Sequence, residues 1–245
     1  MDRRPRPAKI SQAEYTKPAF ARIIRQGDDD PRFAKVVKAG ASSAAPKTRS
    51  TRQICGVGYI ALKNMPAIIQ RFADNRDQFR TCMNAVIGAV EEIVTGDGGW
   101  LQKFSGDGFL FAFPNTARTN GATQAIITGL KMRYRMNKLN RAWNFYRGEA
   151  WMVRTGVHAG TVVITRTGTD EDFRITIQGE TAELATALSR KGSAGQVLIS
   201  DDAFSNGAFQ QALFQTGASR MIQPKGADFS LRVREIVAMV QSKVV

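Results

Sequence analysis

The stretch of this chain best suited to chemistry is residues 103–111, which contain Gly106-Asp107-Gly108. An apolar run at residues 109–113 follows the aspartate, and a short apolar segment at residues 100–104 precedes it. Because glycine tolerates the positive φ that two-residue hairpin loops demand, this pattern predicts two strands joined by a tight turn. Asp107 at the tip could reach a metal ion or a phosphate-bound cation, although turn geometry alone would also explain an aspartate there.

Length and composition are those of an ordinary globular chain. At 245 residues it can bury one full core with an extension, which we favour over two small domains. The hydrophobic content of 43% and the charged content of 23% are typical of soluble domains. No apolar run approaches the roughly 18 residues of a membrane helix, and the N-terminus lacks the apolar core of a signal peptide. We therefore expect a cytoplasmic protein without membrane contact.

Cysteine and histidine counts limit the possible metal and redox chemistry. Cys55 and Cys82 do not make a disulfide framework, which fits a reducing compartment. With two cysteines and the single histidine His158, metal clusters built from Cys and His are excluded. His158 is expected to be a core residue rather than a catalyst.

The net charge of +14 is unevenly distributed. Residues 1–50 hold twelve Lys or Arg against five Asp or Glu, together with five prolines. We predict a basic arm at residues 1–49 and one folded domain at residues 50–245. Such an arm can bind polyanions, and a solvated tail or an oligomerisation arm would have the same composition. No known nucleic-acid-binding motif is present, so nucleic acid is a minor alternative.

Hydrophobic spacing predicts an alternation of strands and helices. Helices are predicted at residues 65–95, 117–136 and 181–190. Besides the hairpin, strands are predicted at residues 54–62, 173–178, 196–200 and 229–237, with two more between residues 152 and 163. This order predicts an α/β (α+β) fold with a ferredoxin-like, split βαβ core, in which a mixed, mostly antiparallel sheet carries helices on one face.

Several short segments, taken in order, carry a family resemblance. They are residues 57–62 with Gly58-Tyr59, residues 98–108 with the Gly-Asp-Gly turn, residues 154–163, residues 176–180, residues 195–200, and Lys225-Gly226 before the last strand. Together they resemble the class III adenylate/guanylate cyclase homology domain over residues 51–238. The stretch between the first strand and the turn is longer than usual, which suggests an insertion at residues 64–80.

The resemblance implies a homodimer with active sites at the subunit interface. In such a site the 3′-hydroxyl of a nucleoside triphosphate attacks its own α-phosphate, releasing pyrophosphate and a 3′,5′-cyclic nucleotide. Two carboxylates hold two Mg²⁺ or Mn²⁺ ions for this reaction. We predict a nucleotidyl cyclase with a rearranged metal site. The alternative is a catalytically degenerate cyclase domain that acts as a nucleotide-binding or dimerising regulatory module.

The resemblance also assigns binding roles to individual residues. Asp107 matches one of the metal-binding carboxylates. Lys103 and Thr176 match the pair that reads the base, which favours ATP while leaving other bases, including pyrimidines, open. Tyr59 of the Gly-aromatic pair and Gly106 of the turn are assigned to the same nucleotide site.

Three positions depart from the family pattern. Cys55 stands where the other metal-binding Asp is expected, three residues before the Gly of the Gly-aromatic pair, and a neutral thiol is a poor ligand for Mg²⁺. Its alternative interpretation is a small buried strand residue. Glu183 replaces an Asn that orients the ribose, and Ala187 replaces an Arg that stabilises the reacting phosphate.

A rearranged site could compensate for these losses. We assign catalytic roles to Glu183, as a carboxylate supplied by the partner subunit, and to Arg190, three residues beyond Ala187 on the same helix face. The alternative is that Glu183 and Arg190 lie on an exposed helix surface with no catalytic role.

Overall fold

The computed structural model describes residues 47–117, 119–146, 150–169, 172–206, 209–224 and 228–240. The helices are α1 (Met65–Arg71), α2 (Arg76–Gly96), α3 (Gly121–Ala142), α4 (Glu180–Lys191) and α5 (Asp201–Phe204). The strands are β1 (Lys47–Leu62), β2 (Trp100–Ser105), β3 (Gly108–Pro114), β4 (Val153–Gly168), β5 (Phe173–Gln178), β6 (Val197–Ser200), β7 (Phe214–Thr216), β8 (Arg220–Ile222) and β9 (Leu231–Met239). Residues 1–46 of the predicted arm and the Lys225-Gly226 match lie outside the described residues.

The described strands form a mixed sheet. Its order is β2-β3-β1-β4-β6-β9-β7, with β5 paired to β4 and β8 paired to β9. β4 and β6 run parallel, and the other pairs are antiparallel. The predicted mixed, mostly antiparallel sheet is therefore confirmed.

Helices α3 and α4 lie on opposite faces of this sheet, so the expectation that the helices share one face is wrong. A Cβ on Gly129 of α3 would lie 3.0 Å from Thr155, whereas a Cβ on Gly156 would overlap the Ala185 carbonyl of α4. Neighbouring strand residues point to opposite faces, so the two helices sandwich β4. Helix α2 packs against α3. None of the described helices is both long and apolar enough to cross a membrane.

The helix predicted at residues 65–95 is split into α1 and α2. The Asn75 side chain accepts a hydrogen bond at 3.1 Å from a backbone N–H in the first turn of α2, and this N-cap starts a new helix. The apolar spacing is maintained across the break, because the rings of Phe72 and Phe79 both contact Trp151. Periodicity therefore identified the buried residues and missed the interruption.

The two strands predicted between residues 152 and 163 are one strand, β4. Gly160 does not turn the chain but pairs with Cys55 inside an uninterrupted β1–β4 ladder. A glycine is needed there for space, since a Cβ would lie 2.5 Å from the Thr181 hydroxyl of α4. β1 also begins at Lys47, earlier than predicted, because it follows β4 to its end.

Candidate functional site

The predicted hairpin is present, with Asp107 at its tip. Gly106 and Asp107 form the two-residue turn between β2 and β3. Gly106 has a φ of +72°, the left-handed conformation that glycine adopts without cost. The Asp107 carbonyl accepts a hydrogen bond of 2.9 Å from the Leu62 backbone N–H. The tip is thus attached to the end of β1. Gly108 is also required, because a Cβ there would overlap the carbonyl of Ile60.

Polar side chains from two strands converge on the Asp107 carboxylate. The Tyr59 hydroxyl donates a hydrogen bond of 2.8 Å to Oδ1, and Nη2 of Arg154 lies 3.7 Å from Oδ2. The Asp107 side chain is 33% exposed and that of Arg154 is 14% exposed. The carboxylate is therefore fixed in orientation while one part of it still faces solvent.

Arg154 is the residue of this site that the sequence assignments missed. Its Nη1 donates a hydrogen bond of 3.0 Å to the Arg190 carbonyl at the end of α4, and its buried Nε has no hydrogen-bond partner among the described residues. The segment at residues 154–163 supported the family resemblance, but no role was assigned to its first residue. The missing information was the register, which places Arg154 directly across from Ala61 on β1.

The electrostatics of the site keep Tyr59 a neutral hydrogen-bond donor. Burial, the negative charge of Asp107 and the hydrogen bond to it raise the pKa of Tyr59 well above its ordinary value. The positive charges of Arg190 and Arg154 act in the opposite direction and are outweighed. Both guanidinium groups therefore act on the Tyr59 hydroxyl within one chain.

Cys55 does not lie beside Asp107, so its match to the other metal-binding Asp of the family pattern is wrong. Cys55 pairs with Pro114, whereas the strand end next to Asp107 is where Ala61 pairs with Gly108. These ladder positions are six residues apart, about 20 Å along an extended strand. Cys55 is instead a buried strand residue with 0% exposure, the alternative considered above, and burial raises the pKa of its thiol to about 11.

Ala61 occupies the position from which a second carboxylate would face Asp107. Side chains alternate along a strand, so Ala61 shares the face of Tyr59, whose hydroxyl reaches Asp107, while Leu62 points to the other face. Asn64, three residues beyond Ala61, has the left-handed φ of 58°. Gly58, by contrast, lies inside the strand.

The residues at the hairpin tip do not fit the pair of divalent cations that the family resemblance implies. The described part of the chain contains no group of three or more His, Cys, Asp or Glu side chains that could hold a metal. Asp107 is a single carboxylate with Arg154 beside it and the apolar Ala61 on the neighbouring strand. Hard divalent cations require several oxygen ligands.

Helix α4 brings only one of its two predicted catalytic residues to this site. Glu183 and Arg190 are both exposed, and the half-buried Ala187 lies between them on the same face. Arg190, in the last turn, has its carbonyl bonded to Arg154. Glu183 lies about 10 Å nearer the start of the helix. Arg190 thus lies at the end of α4 that contacts Arg154, and its charge acts on Tyr59 of the same chain.

The two predicted base-reading positions lie on neighbouring segments. Thr176 is in β5 and Lys103 is in β2, although the Lys103 side chain lies outside the described residues. The Gln102 side-chain oxygen accepts a hydrogen bond of 2.8 Å from the Ile177 backbone N–H, which joins the two strands beside these positions.

His158 is a core residue, as predicted. Its Nδ1 lies 2.6 Å from the Ser200 hydroxyl, and burial lowers the pKa of the imidazole against the opposing charges of Asp202 and Glu180. A buried, neutral imidazole held by a serine stabilises the packing between β4 and β6.

Comparison with known proteins assigns the family. Residues 54–232 match the adenylate and guanylate cyclase catalytic domain, and the chain belongs to this family. It is 24% identical over 202 residues to an adenylate cyclase of Anabaena cylindrica, with 80% of this chain and 38% of that protein covered. The chain therefore spans little more than a third of the length of that curated relative.

Solved cyclase structures share the fold. The guanylyl cyclase Cya2 has a TM-score of 0.66 at 18% identity, covering 80% of this chain and 98% of the other. The adenylyl cyclase CyaB from P. aeruginosa has a TM-score of 0.62 at 21% identity, covering 77% and 96%. The guanylate cyclase domain of RhGC from Catenaria anguillulae, solved with GTP, has a TM-score of 0.61 at 18% identity, covering 78% and 100%.

Proposed function

We propose that this cyclase-family domain binds a nucleoside triphosphate, with ATP favoured, and works in a homodimer as a nucleotide-binding regulatory module with little or no cyclase turnover. The observation that supports it most is the Arg154 guanidinium, which is 14% exposed and whose Nη2 lies 3.7 Å from the partly exposed Asp107 carboxylate without a direct hydrogen bond to it. A guanidinium presents a planar fork of donors that matches phosphate oxygens, and the partly exposed Nη atoms can bind them.

Base recognition would come from the β2–β5 junction. Thr176 is half-buried there, and Lys103 lies one residue from the Gln102 contact that joins the strands. A threonine hydroxyl both donates and accepts, and a lysine donates, so the pair suits the mixed donor and acceptor edge of adenine. Tyr59 and Gly106 would serve this site by holding the Asp107 loop.

Weak turnover is expected because alanines replace two side chains that the family reaction uses. Cyclisation develops negative charge on the α-phosphate, and the family reaction stabilises it with two cations and an arginine. Ala61 and Ala187 supply neither a metal ligand nor a charge. Losses of this kind cost several kcal/mol of barrier, roughly a thousand-fold or more in rate.

A second candidate function is nucleotide cyclisation with a carboxylate donated across the dimer. It is favoured by the exposure of Glu183 in the first turn of α4, where a partner subunit could approach it. Glu183 of one subunit and Asp107 of the other would then hold Mg²⁺ or Mn²⁺. This candidate retains the family reaction, from a nucleoside triphosphate to a 3′,5′-cyclic nucleotide and pyrophosphate.

Calorimetry with ATP, GTP, CTP and UTP on the full chain tests the proposed module. We expect binding heat with a preference for ATP, and a loss of that preference in Thr176→Ala. Thr167→Ala is the matched control, because Thr167 is an exposed threonine of the neighbouring strand β4. An absence of heat and of thermal stabilisation with all four nucleotides would refute the module and the cyclase together.

Mass spectrometry of the same mixtures with Mn²⁺ separates the two candidates. The module predicts no cyclic product above background. A cyclic product that disappears in Glu183→Gln but persists in Glu180→Gln would establish the cyclase instead. Glu180 is the matched control, since it is exposed in the same helical turn.

The basic arm remains a separate proposal. We propose that the arm binds polyanions because residues 1–50 carry an excess of positive charge. Within the described residues, Lys47 and Arg49 are exposed at the start of β1 and extend this basic character into the domain.

A further inference from the structure

The Arg154 guanidinium lies beside Asp107, at the position where a two-carboxylate site would hold a metal ion. In the β1–β4 ladder Arg154 pairs directly with Ala61, the position that faces Asp107 and carries no carboxylate. Arg154 is 14% exposed, and its Nη2 lies 3.7 Å from the Asp107 carboxylate, too far for a direct hydrogen bond. Arg154 therefore contacts Asp107 electrostatically and keeps donor capacity for a ligand.

The charge of the site is reversed relative to a metal centre. Two carboxylates of one chain would present two negative charges to Mg²⁺ or Mn²⁺. Here the single carboxylate of Asp107 lies beside the Tyr59 hydroxyl and the Arg154 guanidinium, and the positive charge of Arg190, whose carbonyl is bonded to Arg154, also acts on this site. Such a set repels a divalent cation and attracts a polyphosphate.

We infer that this site binds the triphosphate group of its ligand without a divalent metal, with Arg154 and Arg190 supplying the positive charge that two metal ions supply at a two-carboxylate site. The inference rests on the proposed nucleotide binding and adds its ionic requirement. It makes metal-free ATP a better ligand than Mg²⁺-bound ATP, because the metal neutralises phosphate charges that the arginines would otherwise pair with. Arg154 contributes from the strand and Arg190 from the end of α4.

Titration calorimetry of the full chain with ATP and with inorganic tripolyphosphate, in excess EDTA and in excess Mg²⁺, tests this. Both ligands are expected to bind in EDTA, and Mg²⁺ should weaken them. Arg190→Gln should lower the affinity about three-fold to ten-fold, as expected for an exposed charge–phosphate contact. Lys191→Gln is the matched control, since it removes a charge from the adjacent exposed position of α4 and should change affinity little.

Asp107→Asn distinguishes the metal-free site from a metal site, because the two predict opposite changes in nucleotide affinity. Removing the carboxylate frees Arg154 and lowers repulsion of the phosphates, so metal-free binding should tighten several-fold. A metal site predicts the reverse, with binding abolished. The substitution keeps the side-chain shape and leaves the backbone bond from Leu62 in place. Circular dichroism confirms that each variant is folded before its affinity is compared.

The outcomes separate this inference from the proposed function. Binding of ATP only in Mg²⁺, with loss in Asp107→Asn, would overturn the inference and leave nucleotide binding intact. Binding of ATP in EDTA without binding of tripolyphosphate would also overturn it, because the nucleoside would then carry the affinity. Failure of both ligands under both conditions would remove the inference and the proposed function together.

Discussion

A carboxylate introduced at residue 61 should create a metal dependence that one introduced at residue 55 cannot. Ala61→Asp and Cys55→Asp each place a carboxylate at a fully buried position of β1, both with 0% exposure. Ala61 lies beside Asp107 in the sheet, whereas Cys55 is six residues away along the strand. The two variants therefore differ in whether a second carboxylate is within reach of a shared cation.

The expected magnitudes follow from burial and from linkage. A buried carboxylate without a partner costs about 3 kcal/mol or more, so Cys55→Asp should be clearly less stable than the native chain in EDTA, whereas the new carboxylate of Ala61→Asp lies across from Arg154 and should cost less. Mn²⁺ at one hundred times its dissociation constant would return about 2.7 kcal/mol to a chain that binds it only when folded. For a domain of this size that corresponds to a rise of roughly 5–10 °C in Tm.

Thermal unfolding followed by circular dichroism, with EDTA and with Mn²⁺, measures this difference. Ala61→Asp should gain several degrees from Mn²⁺, while Cys55→Asp and the native chain should gain little. Equal gains for the two variants would refute the register argument. A folded Ala61→Asp chain that gains nothing from Mn²⁺ would refute the expectation that residue 61 and Asp107 can share a cation.

Three further predictions follow from burial, close approach and charge. Gly56→Ala should destabilise the domain by about 3 kcal/mol or more in urea unfolding, because its Cβ would overlap the backbone that starts α3, whereas Gly88→Ala, with open space around it, should stabilise by about 0.5–1 kcal/mol. Burial raises the pKa of the thiols of Cys55 and Cys82, so the native chain should resist iodoacetamide at neutral and mildly alkaline pH and react once unfolded; rapid native alkylation would contradict this. A chain lacking residues 1–46 should elute from heparin at lower salt than the full chain, and identical elution would assign the arm another role.

The sequence alone was sufficient for the hairpin and for the existence of helices α3 and α4. The turn at Gly106 depends on local φ preferences, and the helices predicted at 117–136 and 181–190, observed at Gly121–Ala142 and Glu180–Lys191, depend on local hydrophobic spacing. The buried role of His158 was predicted from its being the single histidine. These features need no information from distant parts of the chain.

Sequence reasoning failed where a distant contact decides the outcome. Gly160 has the type of a turn residue, yet it lies inside β4 because Thr181 of α4 needs the space. The Gly58-Tyr59 pair has the composition of the family motif, yet Gly58 lies inside β1, where a Cβ would overlap the Phe111 ring. In both cases the glycine serves packing between elements far apart in sequence.

The sequence by itself determined the family, the fold and the aspartate at the hairpin tip, because motif spacing and side-chain periodicity are properties of short segments. The tertiary structure decided what that aspartate faces. Ala61, Arg154 and Arg190 come from three separate elements, and only the register of the β1–β4 ladder and the packing of α4 bring them to Asp107. A shift of one residue in a strand turns a side chain to the other face, so the composition of the site follows from long-range pairing that local spacing does not contain.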